Sequence, residues 1–237
     1  MKELDFAAGE VLPLYKPYGW TSFQVVSKVR YLLSRHHGVK RFKVGHAGTL
    51  DPLATGVLLL CTGKATKRIE ELQNHTKEYI ADLMLGATTA SYDMEHPVSA
   101  TFPHEHITQE MVQQTLNKFI GTIEQRPPLF SACKVEGQRA YRLARDGSDM
   151  QLAPKKINIE EIELLKCELP VITIRVVCGK GTYIRSLARD IGEALQSGAY
   201  LTRLERTRIG DTHVSDCIKP EDFQTWLETA TKKTNDL

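Results

Sequence analysis

The 237-residue chain has five cysteines, Cys61, Cys133, Cys167, Cys178 and Cys217, an odd number with no CxxC pair among them. That argues against both a cysteine-based zinc site and a closed disulfide framework, and reduced, mostly buried thiols are the expectation. Long apolar runs are also missing. Val57 to Cys61 is typical of the longest, far short of the ~20 residues of a membrane helix, and the N-terminus MKELDFAAGE lacks the basic flank and apolar core of a secretion signal. The expectation is a cytoplasmic protein with no membrane partner. No internal repeat and no low-complexity linker is present. What remains is an ordinary globular composition, 41% apolar and 25% charged, able to bury a core as one large domain or two intimate lobes.

Charge is nearly balanced at +2, but it is not evenly spread. Residues 1–80 carry 12 basic and 7 acidic side chains and residues 126–210 carry 15 and 10, whereas residues 81–125 carry 1 and 6. Between Lys28 and Lys43 there are six Lys or Arg, two His and no acid. This is how a phosphate-facing surface is written, and equally how a solvated helix face is written.

Hydrophobic spacing gives a coarse element list. Thr21 or Ser22 can cap a helix with Val25, Val29, Leu32 and Leu33 on one face. Val57–Cys61 reads as a buried strand, 65–74 as a helix, 77–87 as a strand, and 108–120 as a helix ended by Gly121. Two strands are expected within 162–177 around Pro170. Tyr183 to Leu195 is the clearest helix, with Ile184, Leu187, Ala188, Ile191 and Leu195 in one stripe. Strands outnumber the helices available as crossovers. The fold class is therefore α/β of the α+β type, with a mixed, largely antiparallel central sheet flanked by helices.

The stretch VGHAGTLDPLATGVLLLCTGKATK, Val44 to Lys67, sets one carboxylate, Asp51, in a turn-rich loop between a basic segment and an apolar strand. Pro52 disfavours helical backbone at Asp51, and the flanking glycines permit close approach of another chain. Asp before Pro is also a common helix-capping pair, so the loop alone does not establish catalysis. Two motifs are set aside. GVLLLCTGKATK has its glycines too far apart for a phosphate-binding loop, and Ala65 stands where a Ser or Thr is needed. GHAG matches the GxxG of KH modules, but without two clear flanking helices.

VVCGKGTYIRSLARDIG runs from a strand through a Gly and Lys turn into the best helix, where backbone N–H groups and Lys180 can receive an anion. Arg185 and Arg189 lie one helical turn apart; the plain alternative pairs them with Asp190 or Glu193 on the surface. Arg203, Arg206 and Arg208 lie on a strand-like segment, and Tyr79 on another. Taken singly, Tyr79 and Tyr183 are more often core tyrosines than base platforms.

Together, KPYGWTS, the Asp51 block, KEYIADLMLG, RPPLFSACKVEGQRAYRLARDG, VVCGKGTYIRSLARDIG and AYLTRLERTRIG resemble, in order, the TruB family of tRNA pseudouridine-55 synthases. The resemblance spans nearly everything from Leu12 to Gly210. It implies a pseudouridine synthase catalytic fold with Asp51 as the catalytic aspartate, Arg185 as the arginine paired with it, and Tyr79 as the ring that stacks on the extruded uracil. His46, Tyr183 and Leu204 match contacts around the flipped nucleotide, and Lys16 and Lys64, within two of the blocks, are taken as substrate-binding. The implied partner is tRNA, at its T-loop and stem. No metal, cofactor or protein partner is implied, and a monomer is expected. The plain alternative is a non-catalytic RNA-binding protein or tRNA chaperone.

The sequence departs from the family pattern in places. After the Tyr79 strand it reads LGATTASYDMEHP, where Ala90, Ser91 and His96 replace the usual Asp, Thr and Gly while Asp93 is kept; an altered peripheral turn is expected. Cys133 replaces a common Leu. Only 27 residues follow Gly210, so a single catalytic domain, 1–237, with a helical tail over about 211–237 and no separate C-terminal RNA-binding domain is expected. That tail has one plausible helix starting near Pro220, docked by Phe223 and Trp226.

Overall fold

The strands of the computed structural model form a mixed, largely antiparallel central sheet flanked by helices, the expected class. Residues 4–130, 134–135, 138–139 and 152–235 are described. Cys133 and most of the block 126–147 lie outside them. The chain divides into two units, residues 1–77 with 205–237, and residues 78–204.

The first unit is built around one strand. It contains β1 (Val11–Lys16), α1 (Ser22–His36), β2 (Val44–His46), β3 (Thr55–Thr62), a 3-10 turn (Gly63–Arg68) and α2 (Ile69–Gln73). β3 pairs antiparallel with β1 along its length, from Val11 opposite Cys61 to Lys16 opposite Gly56. Its other edge is shared. β2 pairs with the far end, His46 opposite Leu60, and the chain returns at Glu205 to run parallel to the near end, Arg206 opposite Gly56. Both faces of β3 are covered, which explains its unbroken apolar run. Leu58 and Leu60 pack with Val25, Val26, Val29 and Leu33 of α1, while Val57, Leu59 and Cys61 pack with Ala65, Leu72 and Ile209.

Helix α1 starts where its sequence says it should. Thr21 caps it, its hydroxyl accepting from Gln24 N while Gln24 reaches back to Thr21 N, a complete capping box. The cap contributes about 1 kcal/mol. Burial of the four apolar side chains contributes about 1.5–3 kcal/mol each and dominates. The helix expected over 65–74 instead opens with the 3-10 turn, because Thr66 returns its hydroxyl to the Gly63 carbonyl at 2.8 Å and holds the chain in a tight turn.

The second unit contains most of β4 (Lys77–Leu85), the hairpin β5 (Ala87–Thr89) and β6 (Val98–Thr101), α3 (Gln109–Asn117), β7 (Gly121–Gln125), the short strands β8 (Lys134–Val135) and β9 (Gln138–Arg139), β10 (Lys155–Glu168), β11 (Val171–Cys178) and α4 (Ile184–Ala194). It ends within β12 (Ala199–Ile209), whose last residues belong to the first unit. The order β4-β11-β10-β7 places β10 between two antiparallel partners. Helix α4 has the expected stripe, with Ile184, Leu187, Ala188, Ile191 and Leu195 all buried. Gly192 is required there, since a Cβ would lie 2.4 Å from the Ala199 nitrogen. Beyond β13 (Thr212–His213) the tail forms α5 (Phe223–Asn235) in the first unit. Phe223 is buried in the α1 core, and Trp226 meets the Phe6 ring edge-on at 6.3 Å, the docking expected of that helix.

Candidate active site

Residues 47–54, between β2 and β3, carry Asp51. Asp51 caps no helix: its carbonyl accepts from Ala54 N at 3.1 Å, closing a turn. The peptides on both sides are fixed by side chains from distant parts of the sequence. Ser22, in the first turn of α1, accepts from Leu50 N at 2.9 Å and donates to Leu50 O at 3.1 Å, both buried. Lys16, on the α1 face of β1, is fully buried and donates to the carbonyls of Pro17 (2.8 Å), Trp20 (2.7 Å) and Pro52 (3.1 Å). Gly19 N also donates to Pro52 O, at 2.9 Å.

Arg206 completes the clamp. Its guanidinium, 2% exposed, donates from Nε to Val57 O at 2.8 Å and from Nη2 to Gly48 O at 3.2 Å, with Nη1 3.5 Å from Thr49 O. The backbone of Arg206 lies so close to Gly56 that a Cβ there would stand 2.2 Å from its carbonyl oxygen. Arg206 therefore fills the gap on the β3 edge where β2 ends and β12 begins.

These cations set the electrostatics of the unit. Burial pushes the Lys16 amine down to about 8, with Asp51 pulling upward and Arg206 pushing further down. His46, at the end of β2, is held below the usual imidazole range by burial and then by Arg206, against a smaller opposing effect of the Gly48 backbone. Its Nδ1 is buried and has no hydrogen-bond partner among the described residues. Of the expected residues, Lys16, His46 and Asp51 thus share one neighbourhood around Arg206. Lys16 has three protons and three carbonyls to take them; it holds the loop and has none to offer a phosphate. Lys64 is solvent-exposed in the 3-10 turn. GHAG ends β2 and lies between no pair of helices.

In the second unit, Tyr183 and Arg185 open α4. Gln125, 1% exposed, grips the Tyr183 peptide at both ends, accepting from its N–H at 2.8 Å and donating to its carbonyl at 3.1 Å. That N–H is thereby taken from the set open to an anion. Arg185 is buried and donates to Ser91 O (3.0 Å) and Phe130 O (2.8 Å), with Nε 3.7 Å from an Asp93 oxygen. Asp93 is oriented by Ser91 Oγ at 2.5 Å and Glu95 N at 3.0 Å. The 90–96 turn is therefore not peripheral as expected: Ser91 and Asp93 are buried because they secure Arg185. His96 packs against Phe130 at a tilt, with centroids 4.5 Å apart. Arg189 takes the plain alternative, bonded to Asp190 at 2.6 Å. Tyr79 is buried on the Ala81 and Leu83 face of β4, and Leu204, the last residue of the unit, is half-buried.

Comparison with known proteins places the chain in a family. The sequence model of the TruB family pseudouridylate synthase N-terminal domain matches residues 35–184, and that of the tRNA pseudouridylate synthase B C-terminal domain matches residues 185–237. The chain belongs to the TruB family. A relative named tRNA pseudouridine synthase B from Bacteroides thetaiotaomicron is 64% identical, covering 95% of each chain. Another of the same name from Flavobacterium johnsoniae is 50% identical over 94% of this chain and 98% of its own. Among solved structures, a Cbf5-Nop10-Gar1 complex contains a chain 31% identical with TM-score 0.70, covering 94% of this TruB-family chain and 57% of that one. Gln125, Ser91, Ser22 and Arg206 were not among the expected site residues. Arg206 was visible only as one of three basic residues on a strand.

Proposed function

We propose that this chain isomerises uridine to pseudouridine in the T-loop of tRNA, at position 55, in the cytoplasm. The reaction breaks the bond from N1 to C1′, turns the retained uracil and joins C5 to C1′. The proton leaving C5 balances the one gained at N1, so no group is lost and no redox partner is needed. The protein must supply a fixed carboxylate and a pocket that keeps the free base. The observation that carries this reading is the fixing of Asp51: Leu50 is held by Ser22, Pro52 by Lys16, and Gly48 by Arg206. An anion so held needs little reorganisation when charge develops on the sugar.

By resemblance to the family, Arg185 is assigned as the arginine that pairs with the catalytic carboxylate, and Tyr79 as the ring that takes the extruded base. Extrusion costs a few kcal/mol, and stacking on an aromatic offsets about 1–3 kcal/mol of it. Phosphate contacts supply the rest. The test is incubation with unmodified tRNA carrying tritium at uridine C5. Pseudouridine with tritium release is expected; free uracil would indicate a hydrolase, and binding without either product an RNA chaperone. Asp51→Asn is expected to bind tRNA nearly as well and to make no product.

A further inference from the structure

The basic segment 28–43 is not used by the site described above, and the structure shows what it builds. No carboxylate lies within 4 Å of Lys28, Arg30, Arg35, Lys40, Arg41 or Lys43 among the described residues, whereas Arg68, Arg175, Arg185 and Arg189 each have one. Three of the six have other contacts: Arg30 donates to Val44 O at 2.9 Å, Arg35 lines a shallow groove with Glu228, and Lys28 lies over the Trp20 ring at 5.8 Å, which leaves its charge without a counter-ion among the described residues. Lys28, Lys40, Arg41 and Lys43 remain. The turn that carries three of these is pinned. Phe42 is buried, its ring stacked on His37 at 4.9 Å and its N–H bonded to Ser34 Oγ at 2.8 Å. On the adjoining helix, Phe23 and Tyr31 are 64% and 62% exposed. They lie two i,i+4 steps apart and so share one row of the helix.

We propose that the outer face of α1 and the 37–43 turn form a second RNA contact, a track that grips sugar-phosphate backbone away from the reacting nucleotide. Charge complementarity commits the face to a polyanion. Its connection to the Asp51 loop commits it to the RNA presented to that loop. Ser22, at one end of α1, is bonded to Leu50, and the turn at the other end leads back through β2 to His46. Fifteen helical residues span about 22 Å, so the track runs outward from the loop and back. The family model's match begins at residue 35, so it leaves out most of α1 and takes in the 37–43 turn. The proposal rests on the tRNA reading for its choice of RNA.

The test uses a variant carrying Lys28→Gln, Lys40→Gln, Arg41→Gln and Lys43→Gln, with Lys118→Gln/Lys219→Gln as a surface-charge control. Affinity for full-length unmodified tRNA is measured against salt concentration. Removing one cation that neutralises a phosphate lowers the slope of log K against log salt by about 0.7–0.9, so the variant should fall by about 3 units of slope and at least tenfold in affinity at low salt. The control should change in neither. Tyr31→Ala should weaken binding with little change of slope, as removal of a stacking ring does. An unchanged slope in the fourfold variant, with wild-type turnover intact, overturns the track. So does loss of binding to phosphatidylglycerol vesicles with tRNA binding unaffected. Failure of the wild type to make pseudouridine overturns the functional reading instead, and a reduced slope would then still support the RNA contact.

Discussion

Replacing Arg206 by methionine keeps the length and apolar character of a buried side chain while removing its charge and every donor to the Asp51 loop. Of its three contacts, the one to Thr49 O is 3.5 Å and counts for little. Those to Val57 O and Gly48 O, at 2.8 and 3.2 Å, are charge-assisted and contribute about 1.5–3 kcal/mol each. Against them stands the cost of burying a cation, several kcal/mol, which the variant avoids. The net destabilisation is therefore about 1–3 kcal/mol, a fall in Tm of roughly 2–4 °C per kcal/mol for a chain of this size. The functional loss should be larger. With Gly48 released, a shift of about 1 Å in the carboxylate costs on the order of 100-fold in kcat, while tRNA affinity stays within about threefold. One further readout separates positioning from mere stability. Arg206 pushes down the pKa of both Lys16 and His46, so in Arg206→Met the alkaline limb of the pH–rate profile should move above its wild-type position near pH 8. Single-turnover kinetics across pH, with thermal unfolding in parallel, decide the matter. A variant with the expected fall in Tm but kcat within threefold of wild type and an unmoved pH limb would make Arg206 a structural residue only.

Lys16 gives a second pH signature, of opposite sign in activity and stability. Its folded pKa, about 8, lies below its unfolded value, so between about pH 8 and 10.5 the unfolded chain holds more protons and stability from this group rises with pH. Relative to Lys16→Met, wild type should gain roughly 2–3 kcal/mol over that interval in denaturant titrations; a flat difference refutes the shift. Activity should fall over the same interval, because a neutral amine has two N–H groups for three carbonyls. Tyr79→Leu, which keeps an apolar side chain but removes the ring, should lower kcat by about 10–100-fold, more than it weakens tRNA binding, while Tyr79→Phe stays near wild type; equal losses in kcat and affinity would count against stacking. Ser91→Thr should be tolerated and Ser91→Ala should lower kcat about tenfold, since the hydroxyl that Thr keeps and Ala lacks is one of two donors that orient Asp93 beside Arg185. Equal activity in both would show that the backbone carbonyl of Ser91 suffices.

Much of the fold was legible because periodicity reports burial. The α4 stripe, the α1 face and the continuous run of β3 each put apolar residues where one or two covered faces require them. β1 was missed although its buried residues alternate; two other misses carry no such signal. β6 is solvent-exposed at every residue, and β2 is three residues long, so neither shows an alternation to read. The helix expected over 65–74 failed at its start for a local reason, the competing bond from Thr66 to Gly63.

The candidate site divides along a different line. Residues that stand out by type in a recognisable block, such as Asp51, Tyr79 and Arg185, could be named from sequence. Those that fix them could not, because their work is done on peptide carbonyls and amides, and backbone groups leave no trace in side-chain pattern. Arg203, Arg206 and Arg208 look alike in sequence. In the structure Arg203 is exposed, Arg208 bonds the Gly210 carbonyl at 2.9 Å, and Arg206 is buried under the Asp51 loop. What separates them is the parallel pairing of Glu205 and Arg206 with Thr55 and Gly56, a contact between residues about 150 positions apart that sequence spacing does not encode. Gly56 was the one visible trace of it. A glycine at φ +105 with a strand's carbonyl 2.2 Å from its absent Cβ marks where another chain must pass, and the buried cation on that chain holds the loop.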